Sequence, residues 1–310
     1  MLIICELKGV PFWAEQGGFR AFLYAVCMSA FSAFALGLHL FAGRFDFSLG
    51  ATAVLAGIIS GRIAIETGMN SFTMLLTFVG VGAALGAVSG VLYLLFNLPP
   101  MITSLGVALA YEGLGYGISS GKGVNISLVP ELLGGTGITP MLLLLGAGLV
   151  IMYVVLNFTR FGFNYRAIQF GQKIAVDTGL NEKTNAFVCY MMCGALVAMV
   201  GFLRLSYNGT QTAQLSLGTS AAVFSAMLPL FIGGVVARFC DQNIAIVLGC
   251  ITTAIISQGL ASIGVTLQQR SLITSFLMIA ILMYSANGER VKAWLAKRRL
   301  QRVAAASVAA

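Results

Sequence analysis

Between Thr67 and Tyr111 the chain reads TGMNSFTMLLTFVGVGAALGAVSGVLYLLFNLPPMITSLGVALAY, without one Asp, Glu, Lys or Arg. A bilayer core about 30 Å thick asks for roughly 20 uncharged residues per helix. This run therefore holds parts of two spans, divided at Pro99-Pro100. Leu132–Thr159, Thr184–Leu203, Leu205–Ala237 and Gln242–Gln269 are equally free of charge. Of the 310 residues, 58% are apolar and 9% charged, and mean hydropathy is +0.93; an ordinary soluble domain carries about 25% charged residues. So few charges cannot cover a water-facing surface. The expected fold class is all-α, a polytopic transmembrane helical bundle formed by residues 1–310 as a single domain, with lipids as partners and no nucleic acid.

Hydropathy and helix breakers place nine spans, at Ala21–Ala42, Ser48–Glu66, Ser71–Phe96, Met101–Ser119, Thr139–Phe158, Asn185–Leu205, Ser220–Ala237, Asn243–Ile263 and Ser271–Ala286. Basic residues set the orientation. Arg160, Arg166, Lys173 and Lys183 crowd the 159–184 loop, and Arg290, Lys292, Lys297, Arg298, Arg299 and Arg302 crowd the 287–310 tail. Both are expected in the cytoplasm. The four spans between them, an even number, return the chain to the same side. Gly121–Ile138, Ser206–Thr219 and the N-terminus then lie outside. Met1–Phe12, interrupted by Glu6 and Lys8, does not read as a secretory signal.

Gly82, Gly86 and Gly90 recur every four residues on one helix face, a small-residue ridge that lets another helix approach closely. The six cysteines, Cys5, Cys27, Cys189, Cys193, Cys240 and Cys250, fall mostly within apolar stretches and read as small packing residues. His39 is the sole histidine, so neither a Ser-His-Asp arrangement nor a His-based metal site is expected. Gly121-Lys122 ends like a phosphate loop, but no glycine completes G-x-x-x-x-G-K-[ST] upstream, and Gly123 stands where the hydroxyl residue belongs. If ATP drives this protein, another subunit binds it.

Three ordered segments carry a resemblance. Gly43-Arg44-Phe45-Asp46-Phe47-Ser48-Leu49-Gly50 resembles the Gly-x-Asp-Leu-Ser-x-Gly turn of the ribose and xylose (monosaccharide) type of ABC-importer permease. Leu98-Pro99-Pro100-Met101-Ile102-Thr103-Ser104-Leu105-Gly106 is similar to that family's Pro-Pro-Phe-Ile-x-Thr-Leu-Gly segment. Thr159-Arg160-Phe161-Gly162, Arg166-Ala167-Ile168, Ala175 and Gly179-Leu180 resemble its cytoplasmic pattern. The second half departs: Ile232-Gly233-Gly234 is kept, but Arg238-Phe239-Cys240-Asp241 replaces a Gly-rich turn.

The resemblance implies a type II ABC-importer-like permease of the bacterial inner membrane, moving its solute by alternating access driven by a separate ATPase. Its implied partners are ATPase subunits carrying ATP and Mg, a second permease copy or close paralogue, and an extracytoplasmic solute-binding protein. The chain itself would hold no cofactor and have no enzymatic role. The family usually has ten spans, so the nine read here are one short at the N-terminus. A monosaccharide is the family's commonest cargo; close relatives carry nucleosides and a furanone-type signalling sugar. Arg160, Phe161, Gly162, Arg166, Ala175 and Gly179 would couple to the ATPase, although a basic loop that contacts lipid headgroups is the plainer reading of the residues alone.

Asp46, Ser48, Gly50, Thr103 and Ser104 are the candidate substrate-path residues. A charge at membrane depth needs a partner or water, and Arg44 is the nearest for Asp46, which leaves open a salt-bridged turn or a solute ligand. Thr103 and Ser104 follow the helix-stopping prolines and suit either capping or pore lining. A self-contained channel or secondary transporter is the alternative class. It needs ion-coupling or gating groups within spans, where only Glu66, Glu112 and Arg204 come near such depth.

Overall fold

The computed structural model describes residues 16–96, 98–284 and 287. Met1–Phe12, Cys5 and the basic residues of the tail lie outside them. Long apolar runs give α1 (Gln16–Leu40), α2 (Leu49–Thr67), α3 (Ser71–Phe96), α4 (Pro100–Ser119) and α5 (Ile138–Phe158). Two short helices follow, α6 (Arg160–Phe170) and α7 (Gln172–Asp177), then α8 (Glu182–Asn208), α9 (Ala221–Val236), α10 (Gln242–Ser262) and α11 (Leu267–Tyr284). Among the described residues a helix stands at each of the nine apolar segments. Seven are long and apolar enough to cross a membrane. The exceptions are α4, which carries Glu112 and several glycines, and α9, which has 16 residues.

Helix ends follow backbone chemistry. Gly68 (φ 63°) closes α2 and Gly209 (φ 72°) closes α8, both in the left-handed region that glycine adopts at little cost. Pro100 occupies the first turn of α4, where its missing N–H leaves nothing unpaired. Side-chain caps open the helices at the charged end: Thr159 accepts from Gly162 N, Asn181 from Thr184 N and Asp241 from Asn243 N.

The inner helices are α1, α2 and α8, with 61%, 72% and 67% of their most apolar 18 residues buried; for α11 the figure is 0%. On α1, Cys27, Ala30, Phe31, Ala33, Ala35 and Leu36 are wholly buried. Such all-round burial fits a helix enclosed by others. Cys189 and Cys193 of α8 donate to the Leu38 (3.5 Å) and Ala35 (3.3 Å) carbonyls of α1.

The two ends of the bundle are distinct. At one, Val124 pairs with Gln211 and Asn125 with Thr210 in a two-residue antiparallel ladder, which joins the two segments that the reading placed on one side. At the other end lie α6 and α7. Tyr165 of α6 donates to the Gly37 carbonyl (3.2 Å), and burial pushes its phenol well above the ordinary tyrosine range, so it keeps its proton.

Gly82, Gly86 and Gly90 face α8. A Cβ built on Gly86 runs into the Tyr190 carbonyl oxygen, and one on Gly82 into Ala198 and the Gly194 carbonyl. Gly194 answers from α8, where a Cβ meets Gly86 Cα at 2.8 Å. Backbones in such contact leave no room for a branched side chain. A Gly86→Leu chain is expected to lose about 1–3 kcal/mol through overpacking and to melt several degrees lower by detergent thermal-shift fluorescence; parental melting would place the ridge against lipid.

Candidate solute pathway

Two breaks in helical structure enter the bundle from opposite ends. The first, between α1 and α2, turns at Gly43 (φ 72°), with Arg44 N bonded to the His39 carbonyl at 2.9 Å. Asp46 then accepts the Ser48 amide (2.7 Å) and lies 3.4 Å from His39 Nε2. Arg44 pairs instead with Glu182 at the start of α8, at 3.7 Å. The expectation that Arg44 would partner Asp46 is thus corrected: the glycine turn carries Arg44 toward α8, while Asp46 turns back to α1. All three charged or titratable side chains of this break are buried. The His39 ring packs on Tyr190 with centroids 4.4 Å apart. Tyr190 lies eight residues into α8, which sets this contact roughly 12 Å from Glu182 along the helix. His39, Cys189 and Cys193 bring one ligand-type atom each within 4.8 Å of one another, and both thiols are engaged by α1 carbonyls.

The second break runs from the strand pair to α9. Ser216 and Leu217 both have φ 60°, a left-handed conformation that costs a non-glycine residue roughly 1–2 kcal/mol. Glu112 of α4 holds them. Its buried carboxylate accepts Leu217 N (2.8 Å), Thr219 N (2.9 Å) and Thr219 Oγ1 (2.6 Å). The Thr219 carbonyl then packs against Gly50 in the first turn of α2, where any Cβ would collide with it. The two breaks meet there, as do the starts of α2 and α9.

Beside that junction lies a cavity of about 230 Å³ lined by Ser29 and Ser32 of α1, Gly50 of α2, Arg204 of α8 and Ser225 of α9. Ser29 and Ser32 stand near the middle of α1, so the cavity opens about half-way along the bundle. A second, of about 430 Å³, shares Ser29 and Ser225 and adds Ser257, Ser271, Thr274 and Ser275. Hydroxyls that both donate and accept suit a polar, uncrowded solute.

Of the candidate path residues, Gly50 lines this cavity. Asp46 and Ser48 shape the turn that leads to it. Thr103 and Ser104 are buried on α4, where their hydroxyls return to the Pro99 (3.5 Å) and Met101 (3.0 Å) carbonyls and cap no free amide. The cavity serines were not legible in the sequence; a serine pair at i, i+3 in an apolar helix and an arginine flanked by apolar runs were the available signals.

At the far end, Arg166 donates to the Leu156 carbonyl (2.8 Å) and lies over Phe163, and Phe161 stacks on Tyr165. Gly162 packs against the Leu156 carbonyl, with no space for a side chain. Arg160 opens α6, and Gly179 turns with φ 91°. Ala175 is buried, 4% exposed. The most exposed apolar side chains of this segment are Phe170 and Ile174, at 90% and 70%, with Phe163 and Val176 exposed to a lesser degree.

A family model described as branched-chain amino acid transport system / permease component matches residues 20–282. The chain is 26% identical to the galactose/methyl galactoside import permease protein MglC of Haemophilus influenzae, with 71% of each chain covered. It is 25% identical to the fructose import permease protein FruF of Bifidobacterium longum, covering 86% of this chain and 76% of that one. It is 23% identical to the ribose import permease protein RbsC of Escherichia coli, covering 79% and 78%. No solved structure matches it.

Proposed function

Because this chain belongs to the family of branched-chain amino acid transport system / permease components, we propose that it is the membrane subunit through which a bacterial ABC importer passes a monosaccharide or related small polar solute. One observation carries this reading. A cavity walled largely by apolar side chains, with three serines and an arginine set among them, lies beside the junction of two broken segments that enter from opposite ends, the arrangement by which transporters place a site near the bilayer midplane. In the three relatives named above, the cargo is a sugar.

On this proposal the chain crosses the membrane nine times. The α6–α7 end and the C-terminus face the cytoplasm, where basic residues are retained; the strand-pair end faces outward and receives solute from a binding protein. Phe170 and Ile174 dock on the ATPase, which holds ATP and Mg, while Arg160, Phe161, Gly162, Arg166, Ala175 and Gly179 shape that contact. Two permease copies enclose the completed path. Asp46 is matched by His39 within the first break, so it acts in shaping the turn and not as a free ion-coupling group. The test is co-purification: extracted from native membranes, the chain brings an ATP-binding cassette subunit with it.

A further inference from the structure

Among the described residues Arg204 is the only charged side chain lining the 230 Å³ cavity, and no acid lines it. Among the described residues Arg44 pairs with Glu182 and His39 lies against Asp46, and neither contact involves Arg204. Its guanidinium makes no hydrogen bond to another described residue. Arg20, on the neighbouring α1, is the contrast: it donates to the Thr136 carbonyl and hydroxyl, both at 2.8 Å, and lies over the Tyr207 ring. An arginine that lines a half-enclosed cavity without a counter-charge favours an anion there. Its planar fork matches a carboxylate through two parallel hydrogen bonds, which a neutral hydroxyl cannot reproduce. Ser29, Ser32 and Ser225, placed around the same volume, can donate to and accept from the rest of the solute.

We infer that the cavity selects a small solute bearing a carboxylate, and that Arg204 is the residue that reads it. The inference rests on the cavity being the solute path proposed above. Two sources share the chemistry: a sugar acid and an amino acid. The cavity is small beside the roughly 300–1,000 Å³ of drug-sized pockets, and it suits one such molecule.

The test uses the purified importer complex in lipid nanodiscs, without binding protein or ATP, so that the cavity alone is read. Saturation-transfer NMR titrations with D-galacturonate, D-galactose and L-leucine measure affinity. The parent complex is expected to bind galacturonate, leucine or both at least tenfold more tightly than galactose, and which of them binds names the source of the carboxylate. Arg204→Gln is expected to erase that preference, bringing the acids down to the affinity of galactose in the same variant; Arg204→Lys, which keeps the charge and loses the fork, retains part of it. Galactose bound by the parent as tightly as both acids overturns the inference, as does a preference that survives Arg204→Gln. Should the glutamine variant not fold, the parent's own preference and the lysine variant decide. A complex that drives no solute across the membrane with ATP fails the importer reading instead, so the two failures are distinct.

Discussion

A Glu112→Ala chain is expected to lose the ordered approach to α9 and with it at least tenfold of its transport rate, while the bundle stays folded. Glu112 accepts from two amides and one hydroxyl in the segment before α9. Each buried donor left without an acceptor costs roughly 1–3 kcal/mol. The segment also holds two non-glycine residues in the left-handed region, each adding roughly 1–2 kcal/mol of strain that the carboxylate offsets. Without it, the cheapest relaxation is local: Ser216 and Leu217 return to ordinary dihedrals, and Thr219 leaves Gly50. Hydrogen–deuterium exchange should therefore rise at residues 212–220 and remain slow in α8 and α10. Glu112→Gln, which keeps an acceptor oxygen but turns an NH₂ toward a donor, should lie between. Parental exchange at 212–220 in the alanine variant would remove the clamp role from Glu112.

An Ile174→Asp chain is expected to fold and melt like the parent yet lose at least tenfold of ATP-driven uptake. Ile174 is largely exposed on α7, so a carboxylate there disturbs little within the chain. In a packed contact with an ATPase it is buried without a counter-charge, a loss of at least about 2 kcal/mol at a central position. The buried neighbour behaves differently. Ala175→Glu puts a charge at a position already buried within the chain and should lower stability before any partner is involved. Uptake in proteoliposomes, read beside thermal melting, separates the two. Normal uptake by Ile174→Asp would leave α6 and α7 as an ordinary membrane-surface loop.

Much of the bundle is legible because the bilayer requires long charge-free runs: the apolar segments and the Pro99-Pro100 stop correspond to helices and a helix start. The pathway is less so. Glu112 is a lone acid in sequence, and its three donors lie 105 and 107 residues away; nothing local announces the pairing. At Asp46, proximity in sequence favoured Arg44, but Arg44 goes to Glu182 of α8, and the left-handed turn at Gly43 folds the chain back so that a residue seven positions earlier on α1 becomes the partner of Asp46. In α1, an apolar run of residues surrounds the serines that line the cavity, and nothing in that run marks the face that opens on it. At Ala175 the family-like pattern marked the loop, whereas its most exposed apolar side chains are Phe170 and Ile174.

The central claim is that this chain is a passive path powered by another subunit, and the complex extracted from native membranes tests it most directly. Native mass spectrometry of that complex is expected to show two permease chains, identical or closely related, with two ATP-binding cassette subunits, and ATP hydrolysis that depends on those subunits. A stable chain that moves solute across liposome membranes with no nucleotide-binding partner would contradict it.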